Sequence, residues 1–175
     1  MRRLLLSGVV LVSLLAVVGS SVVTAAGQSS VAGLRAATAP FHSLAAATDA
    51  GYGSFYVCTD EEGEGAMGQH FVNGALVGDP AIDPLQPEAL VYEPKPGGGY
   101  RLVGVEYVVF QDAWDATNDS PPRLFGRWFA AVGAGNRFGL PPFYQLHVWV
   151  WRPNPSGLFN DWNPKVTCRG QGDPA

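Results

Sequence analysis

Short runs of β-branched and aromatic residues, separated by glycine and proline, are the feature that most restricts the fold of this chain. Residues of these types favour β-strands, and 22 glycines and 14 prolines among 175 residues leave little room for long helices. The predicted strands cover residues 54–58, 89–93, 100–110, 123–130 and 144–151. The glycines of KPGGGY (95–100) predict a hairpin between the second and third of these strands. Those two strands should therefore pair antiparallel.

One helix is predicted before the strands. Thr38 is a suitable N-cap, Pro40 suits a first turn, and Gly51 ends the apolar spacing. The most economical fold is of the α+β class: a predominantly antiparallel β-sheet or small barrel with this one N-terminal helix packed on it. The longer segments between strands are expected to be loops, at 59–69, 73–87 and 111–122.

The N-terminus predicts export. Residues 1–26 have the pattern of a secretory signal peptide, with Arg2 and Arg3 before an apolar run and small residues that suit cleavage. Residues 27–37 are predicted to be a flexible lead-in, and residues 38–175 a single domain that is long enough to bury a core. We expect a secreted or periplasmic protein with no stable membrane anchor once the signal is removed.

The net charge limits the kinds of partner that this chain can bind, and the cysteine content indicates the compartment in which it works. The formal net charge is −4, becomes −6 without Arg2 and Arg3, and includes no cluster of basic residues. The sequence therefore predicts no binding to nucleic acid. Cys58 and Cys168 are the only cysteines, and in an oxidising compartment they predict one disulfide. Such a bond would remove both thiols as candidate nucleophiles.

The segment YQLHVWVW (144–151) sets one histidine among aromatic and aliphatic residues. Strand alternation puts one group of side chains on one face and a second group on the other: Tyr144, Leu146, Val148 and Val150, against Gln145, His147, Trp149 and Trp151. Two interpretations stay open. His147 and Trp149 belong to a ligand-facing wall, or His147 is satisfied by a hydrogen bond within an ordinary covered face.

The strand at 100–110 poses the same question with a carboxylate. Alternation sets Val103, Val105, Tyr107 and Val109 against Leu102, Gly104, Glu106, Val108 and Phe110. Gly104 leaves space beside Glu106 for a bulky group. A buried Glu106 must be paired, hydrogen-bonded or protonated. The structural alternative is a salt bridge to an arginine, namely Arg101, Arg127 or Arg152.

Histidines elsewhere in the chain complete a possible ligand set. In GAMGQHFVNG (65–74), glycines give His70 and Asn73 the backbone freedom to enter a site, although a solvated loop is an equal alternative. His70, Glu106 and His147 are the predicted metal ligands, for a transition metal such as zinc or copper. His42, at the edge of the predicted helix, and Trp149 are further ligand-binding candidates. The spacing of the histidines matches no diagnostic metal motif.

Other chemistries have weaker support. The acidic segments 59–65 and 111–119 offer oxygen ligands for calcium but match no EF-hand. The five tryptophans could stack on sugars, yet in a small β-domain they more often pack. Residues 152–168 contain two Asn-Pro pairs and predict a stiff strap across the sheet that ends at Cys168.

Four segments carry a resemblance to known sequences. FHSLAAATDAGY, GAMGQHFVNG, LVGVEYVVF and LHVWVWRPNPSGLFNDWNPKVTC resemble an uncharacterised group of exported bacterial proteins, over most of the chain from Phe41 to Cys168. The resemblance implies that the three histidines and Glu106 belong to the recurring pattern of that group. It implies no activity.

Three functional hypotheses follow. The leading one is a domain that binds a small ligand or a metal ion through His70, Glu106 and His147, with His42 contributed by the helix. The second is an enzyme in which His147 and Glu106 act as an acid–base pair in a cleft. The third is a structural exported domain whose histidines are part of the core.

Overall fold

The computed structural model describes residues 30–171. Two short α-helices flank a 3-10 helix at the N-terminal end, and eight strands and two more short helices follow. The helices are α1 (Val31–Thr38), the 3-10 helix (Ala39–His42), α2 (Leu44–Asp49), α3 (Gly74–Val77) and α4 (Gln111–Asp115). The strands are β1 (Gly53–Glu61), β2 (Gly65–Val72), β3 (Ala89–Pro94), β4 (Tyr100–Phe110), β5 (Arg123–Leu124), β6 (Arg127–Trp128), β7 (Ala130–Val132) and β8 (Phe143–Val148).

Six of the strands form one curled, half-barrel sheet in the order β1-β2-β3-β4-β8-β7, and every neighbouring pair is antiparallel. The N-terminal helical segment packs against this sheet. The predicted α+β fold is thereby confirmed. The predicted hairpin at 95–100 joins β3 to β4, and the Lys95 amide donates to the Gly99 carbonyl across the turn. The chain returns to β8 only after β5, β6 and β7, so the β4–β8 pairing is the long-range step of the fold.

The helical region differs from its prediction at both ends. Residues 1–26, the predicted signal peptide, lie outside the described residues, but the predicted flexible lead-in is helical from Val31 onward. Ser30 caps α1 through its hydroxyl, and fully buried Leu34 anchors that helix in the core. Thr38 occupies the N-cap position of the 3-10 helix, as predicted, but its hydroxyl donates to the Leu34 carbonyl and does not cap that helix. The predicted single helix is divided at Ser43, which caps α2.

Two strand predictions were wrong in extent. The run at 123–130 is not one strand, because Phe125 and Gly126 adopt positive φ and turn the chain between β5 and β6. The predicted loop at 59–69 is largely strand, and His70 lies in β2 rather than in a flexible segment. Gly68 serves a close approach of strands there, because a Cβ at that position would lie 2.8 Å from the Tyr92 carbonyl oxygen.

The sheet has two differently covered faces, here called the helix face and the histidine face. Val105, Tyr107 and Val109 of β4 pack on the helix face, together with Leu34 and Ala47 of the helices. The alternation of faces predicted for residues 104–110 is confirmed. Residues 102 and 103 lie on the faces opposite to those predicted. Val103 has no partner in the β3–β4 register, so this bulge places Leu102 on the helix face and Val103 beside Trp149.

The end of β8 also departs from the predicted pattern. Tyr144, Leu146, Val148 and Val150 lie in the helix-face core as expected. The strand stops at Val148, however, and the amides of Trp151 and Arg152 both donate to the Val103 carbonyl. This turn carries Trp151 to the helix face instead of the histidine face.

The C-terminal strap is held at several points. The predicted disulfide forms between Cys58 in β1 and Cys168, across 110 positions of sequence. The Trp149 amide donates to the Leu158 carbonyl, and the Trp149 indole donates to the Asn160 carbonyl. The strap therefore covers the sheet beside β8, as the sequence predicts. None of the helices within residues 30–171 is long and apolar enough to cross a membrane.

Glu88, directly before β3, is a buried carboxyl group outside the predicted sites. It is 2 % exposed and accepts a hydrogen bond from the Val108 amide at 3.0 Å. Burial raises the pKa of Glu88 to about 8, and the negative charges of Glu106 and Asp83 act in the same direction. The side chain is therefore mostly protonated at neutral pH.

Glu88→Gln should make the protein more resistant to alkaline pH. Because folding raises the pKa of Glu88 from 4.5 to about 8, the wild-type protein loses stability as pH rises through this interval. Glutamine keeps a hydrogen-bond acceptor without an ionisable proton. We expect similar free energies of unfolding near pH 4.5 and a variant that is more stable by on the order of 3 kcal/mol above pH 8. Urea unfolding at both pH values measures the difference, and parallel pH curves would contradict the prediction.

Candidate functional site

Three polar side chains converge on the histidine face at the middle of the sheet. His70 comes from β2, Glu106 from β4 and His147 from β8. Glu106 and His147 are direct partners in the β4–β8 register. His70 pairs with Val91 of β3, which in turn pairs with Gly104. Since β2 and β8 are three strand spacings apart, or about 14 Å in a flat sheet, the two imidazoles meet only because the sheet curls.

The contacts within this His70–Glu106–His147 cluster are short. His70 Nε2 lies 3.1 Å from His147 Nε2 and 3.1 Å from Glu106 Oε2. His147 Nδ1 lies 3.4 Å from Glu106 Oε1. All three side chains are buried, with exposed fractions of 6 %, 7 % and 1 % in chain order. Such short distances between buried polar atoms mean that protons, or an ion that replaces them, must bridge the groups.

Charge balance in the cluster sets the ionisation of Glu106 and His147. Burial alone would raise the pKa of Glu106, but the positive charges of His147 and His70 and a hydrogen bond from His70 hold that pKa below its usual value. Burial would likewise lower the pKa of His147, but the negative charges of Glu106 and Asp161 raise it. In a protein without bound metal, Glu106 is thus an anion balanced by an imidazolium.

His147 Nδ1 is a buried polar atom with an incomplete environment. Within residues 30–171 it has no hydrogen-bond partner. The nearest carboxylate oxygens are Glu106 Oε1 at 3.4 Å and Asp161 Oδ1 at 3.6 Å, and neither accepts a hydrogen bond from it in this geometry. Asp161 is held by Gln145, whose amide donates to its other oxygen at 3.1 Å. A small movement of either carboxylate would complete the bond to Nδ1.

The separations also fit a metal ion. Two ligand atoms that each lie 2.0–2.1 Å from a tetrahedral zinc ion are about 3.3 Å apart. The distances from His70 Nε2 to the other two ligands are close to this value, at 3.1 Å each. Within residues 30–171, this is the one set of three or more such side chains whose ligand atoms gather closely enough to hold a metal.

The other residues predicted for the site are not part of the His70–Glu106–His147 cluster. His42 lies on the helix face, where its ring contacts Trp151 edge-on at 4.2 Å between centroids, so it is separate from the cluster. The helix that carries His42 covers the opposite side of the sheet, so the fold does not bring His42 to the cluster. Trp149 is 2 % exposed and stacks on His147 at 5.9 Å, so it shields the imidazole from the side of the strap. Asn73 caps α3 and does not enter the site.

The arginine partners considered for Glu106 were also wrong. Arg101 pairs with Glu93, Arg127 lies over the Phe159 ring, and Arg152 donates to the Lys165 carbonyl. The cluster is therefore balanced by histidine alone. The space beside Glu106 that Gly104 provides is filled by Trp149, since a Cβ at Gly104 would lie 3.4 Å from the indole Cε3.

A cavity of about 360 Å³ opens beside the cluster. His70 and Glu106 are its polar lining residues, whereas His147 is not among the residues that line it. Apolar side chains supply most of the remaining wall: Phe55, Val72, Val108, Phe110, Phe138 and Phe143. The histidine of the acid–base pair predicted from sequence thus lies behind Glu106 and not on the cavity.

Sequence reasoning missed two parts of this region. Asp161, near His147 Nδ1, lies in the strap that was interpreted as structural only. Phe138 and Leu140 come from the loop 133–142, which carries no catalytic or metal motif. The turn-rich sequence around Asn136 was the available signal, since this side chain organises the loop by hydrogen bonds to Gly133 and Leu140.

Comparison with known proteins identifies no relative: no protein-family model matches the chain, and no curated protein or solved structure matches it. The assignment of a function therefore depends on the chemistry of the cluster and of the cavity.

Glu106→Gln should destabilise the protein most at mildly acidic pH. Because folding lowers the pKa of Glu106, this group stabilises the folded protein above pH 4.5, and the stabilisation is lost as pH falls through the pKa of the folded state. Because folding raises the pKa of His147, this group stabilises the folded protein below pH 6.5, and the stabilisation is lost as pH rises through the pKa of the folded state. Both contributions are complete between pH 4.5 and pH 6.5. In this interval we expect Glu106→Gln to lower the free energy of unfolding by about 2–4 kcal/mol.

The loss in Glu106→Gln should shrink as pH rises through the raised folded pKa of His147, because the wild-type protein then loses the charge pairing as well. Chemical unfolding of the metal-free proteins at several pH values tests this. Glu93→Gln is a matched control, because the hydrogen-bond partners of this buried carboxylate are Arg101 and Thr167. An effect of Glu106→Gln that is independent of pH would show that charge pairing with the histidines is not the cause.

Proposed function

We propose that this protein binds one divalent transition-metal ion, zinc or copper, through His70 Nε2, His147 Nε2 and the Glu106 carboxylate. The observation that carries the proposal is the convergence of the three side chains: His70 Nε2 lies 3.1 Å from both His147 Nε2 and Glu106 Oε2, and one ligand atom of each residue lies within 4.8 Å of the others. Imidazole suits both metals, and one carboxylate reduces the charge of the bound ion. A metal would also take the place of the protons that the short contacts otherwise require.

A second feature supports the same proposal. When the Nε2 atom of a histidine binds a metal, its Nδ1–H is usually bound by a carboxylate, a carbonyl or water, which fixes the ring orientation. The Nδ1 atom of His147 has two such groups nearby, with Glu106 Oε1 at 3.4 Å and Asp161 Oδ1 at 3.6 Å. In the proposed site, Asp161 positions His147 and does not touch the ion.

We further propose that the protein works outside the cytoplasm, in the periplasm or the medium. The Cys58–Cys168 disulfide supports this compartment, because such bonds persist where the surroundings are oxidising. The signal peptide predicted at 1–26 agrees with it. A metal site there would bind ions supplied from outside the cell.

Metal content tests the proposed ligands directly. We expect about one zinc or copper ion per chain, by elemental mass spectrometry, in mature protein purified without a histidine tag and incubated with the metal. His70→Ala and His147→Ala should each lose the ion, because two remaining ligands bind zinc weakly. His42→Ala is the matched control and should keep it, since this histidine lies on the opposite face.

Circular dichroism of each variant separates ligand loss from unfolding. Bound zinc should raise the melting temperature of the wild-type protein and of His42→Ala, because a ligand that binds only the folded state stabilises it. Absence of metal from the folded wild-type protein after incubation would overturn the proposal.

Asp161→Asn tests the positioning contact. We expect zinc affinity to fall by about 10- to 100-fold, the usual effect of removing a partner that orients a ligating histidine. Competition with a fluorescent zinc chelator measures this affinity. Asp115→Asn is the control, because Asp115 also accepts a hydrogen bond from a buried side chain, the Tyr144 hydroxyl, without a contact to the cluster. Equal affinities for the two variants would remove Asp161 from the site.

A further inference from the structure

The cavity beside the cluster has the properties of a binding site in its own right. Its volume, about 360 Å³, lies within the range of small-molecule pockets. Eight apolar side chains line it, with only His70 and Glu106 to offer charge or strong hydrogen bonds. One polar corner in an otherwise apolar pocket is the arrangement that orients an apolar molecule by a single polar group.

The walls are built to keep this space open. Val108 and Phe143 are buried in the central strands β4 and β8, with exposed fractions of 9 % and 3 %. Phe138 joins the wall from the loop 133–142, with its ring 6.2 Å from the Phe143 ring and 6.4 Å from the Phe55 ring. Asn136 fixes that loop by accepting from the amides of Phe138 and Leu140 at 3.2 Å each. The cavity is therefore already formed before a ligand binds, and its formation does not depend on a mobile lid.

The volume of the cavity and the charge of Glu106 restrict the kind of molecule that can bind there. A cavity of about 150 Å³ holds one benzene molecule, so a space of 360 Å³ suits roughly two fused aromatic rings. A carboxylate on the ligand would meet the buried carboxylate of Glu106, which costs energy. A hydroxyl group can donate to Glu106 at no charge cost, and hydrogen bonds to charged groups are among the stronger ones.

We infer that this cavity binds a neutral, two-ring apolar molecule that carries one hydroxyl group, with the hydroxyl directed at Glu106 and His70. The inference goes beyond metal binding and does not require it, since the apolar walls and the Glu106 carboxylate are present without an ion. In the proposed metal-bound protein the same hydroxyl lies beside the ion, because His70 and Glu106 are shared between the cavity and the cluster.

Calorimetric titration of metal-free protein with 2-naphthol tests the inference. We expect saturable 1:1 binding that is about tenfold tighter than that of naphthalene, the value of one hydrogen bond to a charged group. It should also be tighter than that of 2-naphthoate. Glu106→Gln should reduce the preference for the hydroxyl compound. No binding of 2-naphthol, or equal binding of naphthalene, would overturn the inference, as would tighter binding of 2-naphthoate.

Blocking variants locate the site. Gly74 lines the cavity, and a Cβ there would meet no atom within 4 Å, so a side chain can leave the backbone without a clash; Gly74→Trp should block binding at least tenfold. Gly133→Trp is the matched control, since Gly133 is equally unobstructed but does not line the cavity. Val77→Trp serves as a second blocking variant if the first unfolds. Unchanged binding in a folded blocking variant would exclude this cavity.

The experiment keeps the two proposals separate. Binding of 2-naphthol to protein treated with chelator supports the cavity inference whether or not zinc binds. Zinc bound without any naphthol binding would support the metal site and overturn the cavity inference. Naphthol binding that is seen only in the zinc-loaded protein would also overturn it, because the hydroxyl would then depend on the ion rather than on Glu106.

Discussion

Burial of the Glu106 carboxylate in the middle of the sheet is the constraint on which the rest of the site depends. An isolated carboxylate at 7 % exposure would be very costly, so the fold must bring positive groups to it. His147 reaches it because β4 and β8 pair in the register that sets the two residues opposite each other. His70 reaches it only through the curl of β2 and β3 around the histidine face. The curvature of the sheet and the ionisation of Glu106 are therefore linked.

The predictable part of this structure follows from alternation within single strands. It indicated correctly that Glu106 and His147 lie on the faces opposite to Tyr107 and Val148, because period-two patterning is a local property of the chain. What it could not indicate is the neighbour of each strand. The β4–β8 pairing passes over β5, β6 and β7, and no local residue pattern specifies a partner at that distance.

Glycine was the main source of wrong local predictions. Around His70 the glycines were interpreted as backbone freedom, yet Gly68 is required because the Tyr92 carbonyl oxygen lies only 2.8 Å from the position that its Cβ would take. The segment is an interior strand of the sheet, and His70 is buried rather than solvated. Phe125, with positive φ, had the opposite effect, since it turned an expected strand into a short hairpin. A sequence shows that a position is glycine, but whether a turn or a close approach demands it is decided by the partner strand.

A stability role alone is a weak explanation for the cluster. Replacing a buried ion pair by well-packed apolar residues is often neutral or stabilising, and the histidine face already contains Val72, Val108 and Phe143 that could extend such a core. A sequence selected only for stability would have little reason to keep two imidazoles and a carboxylate in contact there. One of these imidazoles, that of His70, and the Glu106 carboxylate form the one strongly polar corner of the cavity, on strands held from both sides by hydrogen-bonded neighbours. Rigid placement of costly polar groups beside an apolar pocket is what binding chemistry needs and what packing does not.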